Sequence, residues 1–383
     1  MFGHKRRISD LISNNSNSFS LLRLIAALLV VLSHSCLFVD ENFLKTVRLW
    51  SNYELGQHAV NAFFSISGLL ICQSYYRSVS SKTYIISRIL RIYPALICSS
   101  IVVGWLFGAL TSSLTLSDYF SEAKNLYYPI GVLLYFNKAE LTGAFHWPPY
   151  PSEVNSPLWT IKYEIACYIC LMIGLRLKLL EQRIILMMTI VLVGCILVYA
   201  NMSLRPAHWS ETFRFGLAFL IGVAAYQYRY LIVLRRRHVV ILAMLCVILS
   251  KTVFGPITAI VFVAYASYFL ASGGIPFLSR LCNEWDISFG IYIYSWPIQK
   301  IISMHFGSRL TVIEHAALSL AVTLPFAILS WIVIEKPALR LKYHFRKGSA
   351  EKTDMVQNIE VASEGSIRID GSPPYATTKN LYQ

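Results

Sequence analysis

The chain carries about ten separate apolar runs, each near the length that crosses a lipid bilayer. A spanning helix needs about 20 consecutive apolar residues. Candidate runs cover residues 20–38, 58–76, 84–110, 157–177, 184–202, 212–228, 239–252, 256–272, 287–305 and 312–334. They predict an all-α, polytopic membrane helical bundle of about ten transmembrane helices. The run at 239–252 is the shortest and has poorly marked ends. The first run holds Arg23 and His34, and no small-residue cleavage pattern follows it, so it reads as a retained span rather than a signal peptide.

Composition says the same. Of 383 residues, 56% are hydrophobic and 14% charged, against about 25% charged in a soluble domain. That excludes an ordinary soluble enzyme, a disordered protein, a coiled coil and a disulfide-rich secreted module. The net charge of +14 would suggest nucleic acid in a soluble protein. Here the charges lie between apolar runs and act as topology signals, so no nucleic acid is expected. With the N-terminus in the cytoplasm, the inner segments hold Lys5, Arg6 and Arg7; Arg77 and Lys82; Arg176, Lys178 and Arg183; Arg229 and Arg235 to Arg237; Arg280; and Lys336, Arg340, Lys342, Arg346 and Lys347. The outer segments hold only Lys45, Arg48, Lys124, Lys138, Arg205, Lys251 and Arg309. Both termini are therefore expected in the cytoplasm, as an even number of spans requires.

Three parts follow: a cytoplasmic segment at 1–19, a transmembrane domain at 20–342 and a disordered cytoplasmic tail at 343–383, polar and rich in Ser, Gly and Pro. Residues 126–137 are apolar but too short to span, and are read as a re-entrant or interfacial piece of a long outer loop, 111–156. That loop contains His146-Trp147-Pro148-Pro149-Tyr150-Pro151, which is either a cover over a substrate site or an interfacial aromatic belt. Most of the eight cysteines fall inside apolar runs and do not resemble a disulfide framework. Cys167 and Cys170 read as small fillers on one helix face rather than as a redox or metal pair. No metal site is expected.

Ionisable residues inside spans are costly and are functional candidates by default. Arg23 and His34 are eleven residues apart, three turns plus about 20°, so they share a helix face and are separated by about 16 Å along the axis. Either residue alone has a plainer reading, a snorkelling arginine or a packed histidine. Glu164 lies about two turns into its span from the outer face, where it could meet His34 and orient the imidazole. A salt bridge with Lys162 or an arginine is the alternative. Arg88 and Arg91 share a face at the cytoplasmic boundary. They serve either topology alone or a phosphate clamp, since guanidinium forks match phosphate.

Six segments resemble the acyltransferase-3 family of integral-membrane O-acyltransferases, over about 19–342. They are Arg23 with His34; VNAFFSISGLLI at 60–71; Arg88 to Pro94; SPLWTIKYE at 156–164; SFGIYIYSWPIQ at 288–299; and Ile334-Glu335-Lys336-Pro337. One departure is Ser295, where many members have His before Trp-Pro, so no catalytic weight falls on that segment. The resemblance implies acyl transfer from an acyl-CoA, usually acetyl-CoA, to a hydroxyl of a surface polysaccharide or its lipid-linked precursor, in the bacterial inner membrane. The candidate catalytic residues are His34, Glu164 and Arg23: His34 would act as general base or acyl carrier and Glu164 would orient it, while Arg88 and Arg91, with Arg23 nearby, would dock the CoA phosphates. Asn61, Ser67 and Trp159 are candidates for oxyanion or substrate contacts from polar position alone. Partners would be the glycan or glycolipid acceptor, the lipid bilayer and separate glycan-assembly proteins. A proton-coupled secondary transporter would also hold intramembrane His, Glu and Arg, but no paired halves are visible. A lipid or small molecule is the alternative acceptor, and a non-enzymatic scaffold would need neither the Arg23/His34 register nor the boundary arginines.

Overall fold

The computed structural model describes residues 6–13, 18–40, 53–146, 153–203, 207–273 and 276–341. Among the described residues, ten helices occupy the ten apolar runs. They are α1 (Phe19–Val39), α2 (Leu55–Tyr76), α3 (Ser81–Thr111), α4 (Ser156–Arg176), α5 (Arg183–Met202), α6 (Ala207–Gln227), α7 (Arg236–Leu249), α8 (Gly255–Ser272), α9 (Ser288–Phe306) and α10 (Val312–Leu341). Seven are long and apolar enough to cross a membrane. The other three are α6, α7 and α9. Helix α7 has only 14 residues. Helix α9 is the more instructive case, because nearly every side chain from Ser288 to Ser303 is buried, including Gln299 and Lys300. It is the central post of the bundle and faces protein rather than lipid, so it can carry polar groups that a lipid-facing helix cannot. Helix α5, at the periphery, is the most apolar of the seven.

Packing around that post places the site. Helices α1 and α10 pack on α9, α2 packs on α1, and α6 and α8 pack on α2. The α2–α6 crossing is the tightest. A Cβ on Gly68 would collide with the Phe219 carbonyl, and one on Gly222 with the Ser65 carbonyl. Small residues let membrane helices approach this closely. At one end of the bundle, the short helix Ile8–Ser13 buries Ile8 and Leu11. Its segment is tied by Leu234 N to Arg6 O at 2.8 Å and Ser9 N to Arg229 O at 3.0 Å. These bonds put the N-terminal segment on the same side as the Arg229 and Arg235–Arg237 cluster. We call this the basic end.

At the opposite end, the connection after α3 folds into short helices at Leu116–Ser121, Ala123–Leu126 and Tyr128–Tyr135. Eight residues in the last cannot cross a bilayer. Asn125 pins the connection, donating to Tyr119 O and Thr142 O and accepting from Thr142 N. Of the aromatic and proline patch, only His146 is described, and it is exposed; residues 147–151 and the tail at 343–383 lie outside the described residues.

Candidate active site

Arg23 and His34 do share a face of α1, and it is the face toward α9. Arg23 Nη1 meets Asp286 Oδ2 at 3.2 Å, just before α9 begins, and the His34 ring stands edge-on to Trp296 with centroids 4.8 Å apart. Because α1 and α9 run side by side in the same direction, the two contacts mark two levels of one seam.

At the basic end the seam opens into a cavity of about 440 Å³, lined by Arg23, Arg77, Arg88 and Arg91, with Ser67, Ser74, Tyr168 and a single lining acid, Glu164. Asp286 clamps two of these arginines, since Arg91 Nη2 reaches the same Oδ2 at 2.7 Å. Ser288 Oγ donates to Oδ1 at 2.7 Å. Burial disfavours charge on Asp286, but Arg91 and Arg23 outweigh it and lower its carboxyl to about 2. Each guanidinium has five N–H donors, so one bond to Asp286 leaves capacity for an anion. Arg88 donates to Ser74 Oγ at 3.2 Å and lies 5.8 Å from the Tyr84 and Tyr168 ring centroids; its Nε is buried without a partner. A narrow annex of about 50 Å³ continues inward, with Arg23, Ser67 and Glu164 on its floor and Phe63, Phe64 and Tyr292 on its walls.

The expected contact between Glu164 and His34 is not formed. Glu164 accepts a hydrogen bond from Tyr168 Oη on its own helix and lines the chamber beside Arg23. The reason lies in the turn before it. Residues Ser156–Thr160 form a 3₁₀ turn that is folded into the bundle, not laid on its rim. Asn155 Nδ2 donates to Ile293 O at 2.8 Å, and Thr160 Oγ1 lies 2.7 Å from Tyr292 Oη. The helix therefore starts deep, and Glu164 reaches the level of Arg23, three turns from His34.

The opposite half has its own polar cluster. His34 is half-buried, with Nδ1 enclosed and unpaired. Its neighbour Ser35 accepts from Gln299 Nε2 at 2.8 Å and lies 3.0 Å from His315 Nδ1. Gln299 also donates to Val31 O at 2.8 Å, and His315 Nε2 lies 2.9 Å from Ser303 Oγ. Three helices are thus fastened behind His34. Phe38 packs on both Trp296 and His315. Ser295 is buried with an unpaired hydroxyl.

The three remaining candidates are dispersed. Ser67 belongs to the chamber and annex. Asn61 is fully buried, and its Oδ1 accepts from Arg214 Nη1 at 2.9 Å; Arg214 is also held by Glu211. Asn61 Nδ2 is buried without a partner. Trp159 packs against Tyr163 and Phe215. Sequence reasoning missed Asp286, Tyr168, Arg214 and His315. Two intramembrane arginines without an assigned counter-ion were the available signal for Asp286. Among the described residues no group of three or more His, Cys, Asp and Glu could hold a metal ion, and all eight cysteines are free.

An all-helical membrane bundle with a basic chamber at one end and a histidine in the other half defines a class. Comparison with known proteins makes it specific. Residues 16–332 match the family model described as an acyltransferase domain, and the chain belongs to that acyltransferase-3 family. It is 26% identical over 338 residues to an O-acetyl transferase of Shigella phage Sf6, covering 84% of this chain and 96% of the relative. It is 25% identical over 372 residues to nodulation protein 10 of Rhizobium leguminosarum bv. viciae, covering 86% and 95%. No solved structure matches it. The protein is a multi-pass membrane acyltransferase.

Proposed function

We propose that this enzyme moves an acetyl group from acetyl-CoA to a hydroxyl of a surface polysaccharide or its lipid-linked precursor, in the bacterial inner membrane. The observation that carries the donor is the chamber with four arginines against one lining carboxylate, at the basic end, which the positive-inside rule puts in the cytoplasm. Acyl-CoA is cytoplasmic and anionic, and guanidinium forks suit its phosphates. Arg88 and Arg91 take the phosphates, with Arg23 at the inner wall. His34 lies about 16 Å from Arg23 along the helix, a length that suits a pantetheine arm.

His34 is the proton acceptor. The acceptor hydroxyl loses its proton to the imidazole as its oxygen attacks the thioester carbonyl; the C–S bond breaks, and the proton leaves with CoA as the free thiol. An unpaired Nδ1 leaves the ring without a competing bond on that nitrogen. The acetyl group follows the name of the phage O-acetyl transferase above, and the glycan acceptor is the one that the resemblance to the acyltransferase-3 family implies. The test is surface-glycan analysis by NMR and mass in a host with the intact gene, a deletion and His34→Ala, beside acetyl-CoA consumption by purified protein in nanodiscs. Loss of an O-acetyl signal in the deletion and in His34→Ala is expected. Unchanged glycans in the deletion would overturn the acceptor, and an active His34→Ala would overturn the base.

A further inference from the structure

Arg88 lines two cavities at once. One is the basic chamber. The other is an apolar groove of about 220 Å³ between α3 and α4, walled by Ile85, Ile89, Ile165, Ile169 and Met172, with Tyr168 and Arg88 shared between the two. The rim of the groove lies on the outside of the bundle, where Ile85, Ile89 and Ile169 are each 41–49% exposed. These residues sit on helices that qualify as spans, so the groove opens sideways into hydrocarbon. The guanidinium at the junction sits between two tyrosine rings and has an enclosed, unpartnered Nε.

From this juxtaposition we infer a lateral lipid site: the phosphate of an anionic phospholipid, drawn from the leaflet at the basic end, sits on Arg88, and one of its acyl chains lies along the α3–α4 groove. Two observations select the occupant. Charge complementarity demands an anion, since the chamber holds four arginines and one lining acid. The spacing demands that anion and hydrocarbon be adjacent, because a residue that the groove shares with the chamber is the one that carries the positive charge. In a phospholipid the phosphate and the chains share one glycerol. In a long-chain acyl-CoA the whole pantetheine arm separates them, so a chain in this groove would leave the phosphates far from Arg88. The aromatic faces of Tyr84 and Tyr168 suit the boundary between headgroup and chain. The site shares Arg88 with the proposed CoA chamber, and only the displacement arm of its test rests on that reading.

Native mass spectrometry of the full-length protein, released from nanodiscs of phosphatidylcholine with or without phosphatidylglycerol, tests it. Wild type should retain one phosphatidylglycerol in preference to phosphatidylcholine. Arg88→Gln should lose the preference, and Ile89→Trp, which fills the groove and spares the charge, should lose the retained lipid about as fully. Palmitoyl-CoA and acetyl-CoA added to wild type should displace a similar share of the lipid, since only the headgroup is contested. Equal retention by wild type and both variants would overturn the site. So would palmitoyl-CoA displacing the lipid far better than acetyl-CoA, with that advantage lost in Ile89→Trp, since the groove would then serve an acyl donor. Failure of acetyl-CoA turnover would refute the proposed donor and leave these lipid readouts standing.

Discussion

The chamber at the basic end and the histidine cluster in the opposite half are both polar sites inside an apolar bundle, yet they are built in opposite ways. The chamber is wide and cationic, and its arginines outnumber the acids that hold them. The histidine cluster is built of hydroxyls, an amide and imidazoles, with no carboxylate or guanidinium among them. There, the hydroxyls, the amide and the His315 imidazole bond to one another, while Nδ1 of His34 and Oε1 of Gln299 stay unpaired. A surplus of charge in low dielectric is held only at a cost unless a ligand shares it. A hydrogen-bonded network without net charge of its own fixes geometry. The chamber therefore has the character of a binding site for an anion, and the histidine cluster that of a rigid mount for a reacting group. Substitutions in the first should act on donor KM, and those in the second on kcat.

The largest expected effect comes from the mount. His34→Ala should insert and fold, and should lose about 10²–10⁴-fold in kcat with little change in KM for acyl-CoA. Glu164→Gln should instead raise KM, because Glu164 faces the chamber and binds Tyr168. A double-mutant cycle on kcat/KM decides between the two arrangements, since residues with no shared partner add. Strong non-additivity between His34→Ala and Glu164→Gln would restore the direct pairing that this fold does not form.

Next comes the clamp. Asp286→Asn leaves Arg23 and Arg91 without their shared counter-ion, a loss of about 3 kcal/mol for a largely enclosed pair, visible as a lower melting temperature in detergent. The pH dependence carries the same signature. Asp286 has a folded carboxyl pKa below the ordinary carboxylate value. Its stabilisation is complete above about pH 4 and fades as pH falls toward about 2. Asp286→Asn should flatten that acid-side loss; an unchanged acid limb would mean that other carboxylates set it.

His315→Asn tests the mount without touching His34. The shorter amide cannot span from Ser35 to Ser303, so one hydroxyl loses its partner at a cost of about 1–3 kcal/mol. Stability and kcat should fall together and KM should hold. A changed KM for acyl-CoA with kcat intact would move His315 from positioning to binding.

These contrasts also explain what could be read before any fold was known. Helix periodicity put Arg23 and His34 on one face, and hydropathy located all ten helices, because both depend on regular local geometry. Asp286 was illegible because it lies in the connection before α9, where periodicity says nothing, although it is the nearest acid to two intramembrane arginines. The level of Glu164 is hidden from the sequence for a related reason. Hydropathy measures how apolar residues 156–160 are but not that they turn inward and lower the start of α4. Helix α9 shows the converse, since its modest apolarity understates its burial and the polar groups it carries face neighbouring helices.

The smallest effect should come from Trp159, and it separates packing from recognition. Trp159 is half-buried in a cluster with Tyr163 and Phe215, and it does not line the chamber or the annex. Trp159→Phe keeps an aromatic ring in that cluster, so it should cost well under the ~3–5 kcal/mol of a Trp→Ala truncation and leave the rate of acetyl-CoA consumption in water unchanged. Transfer to a glycan acceptor should stay close to wild type as well, because the indole is engaged by its own neighbours. If transfer to the glycan falls sharply while acetyl-CoA turnover holds, the ring is stacking on the acceptor sugar. The acceptor path would then run along the α4–α6 side of the bundle, beside the aromatic cluster.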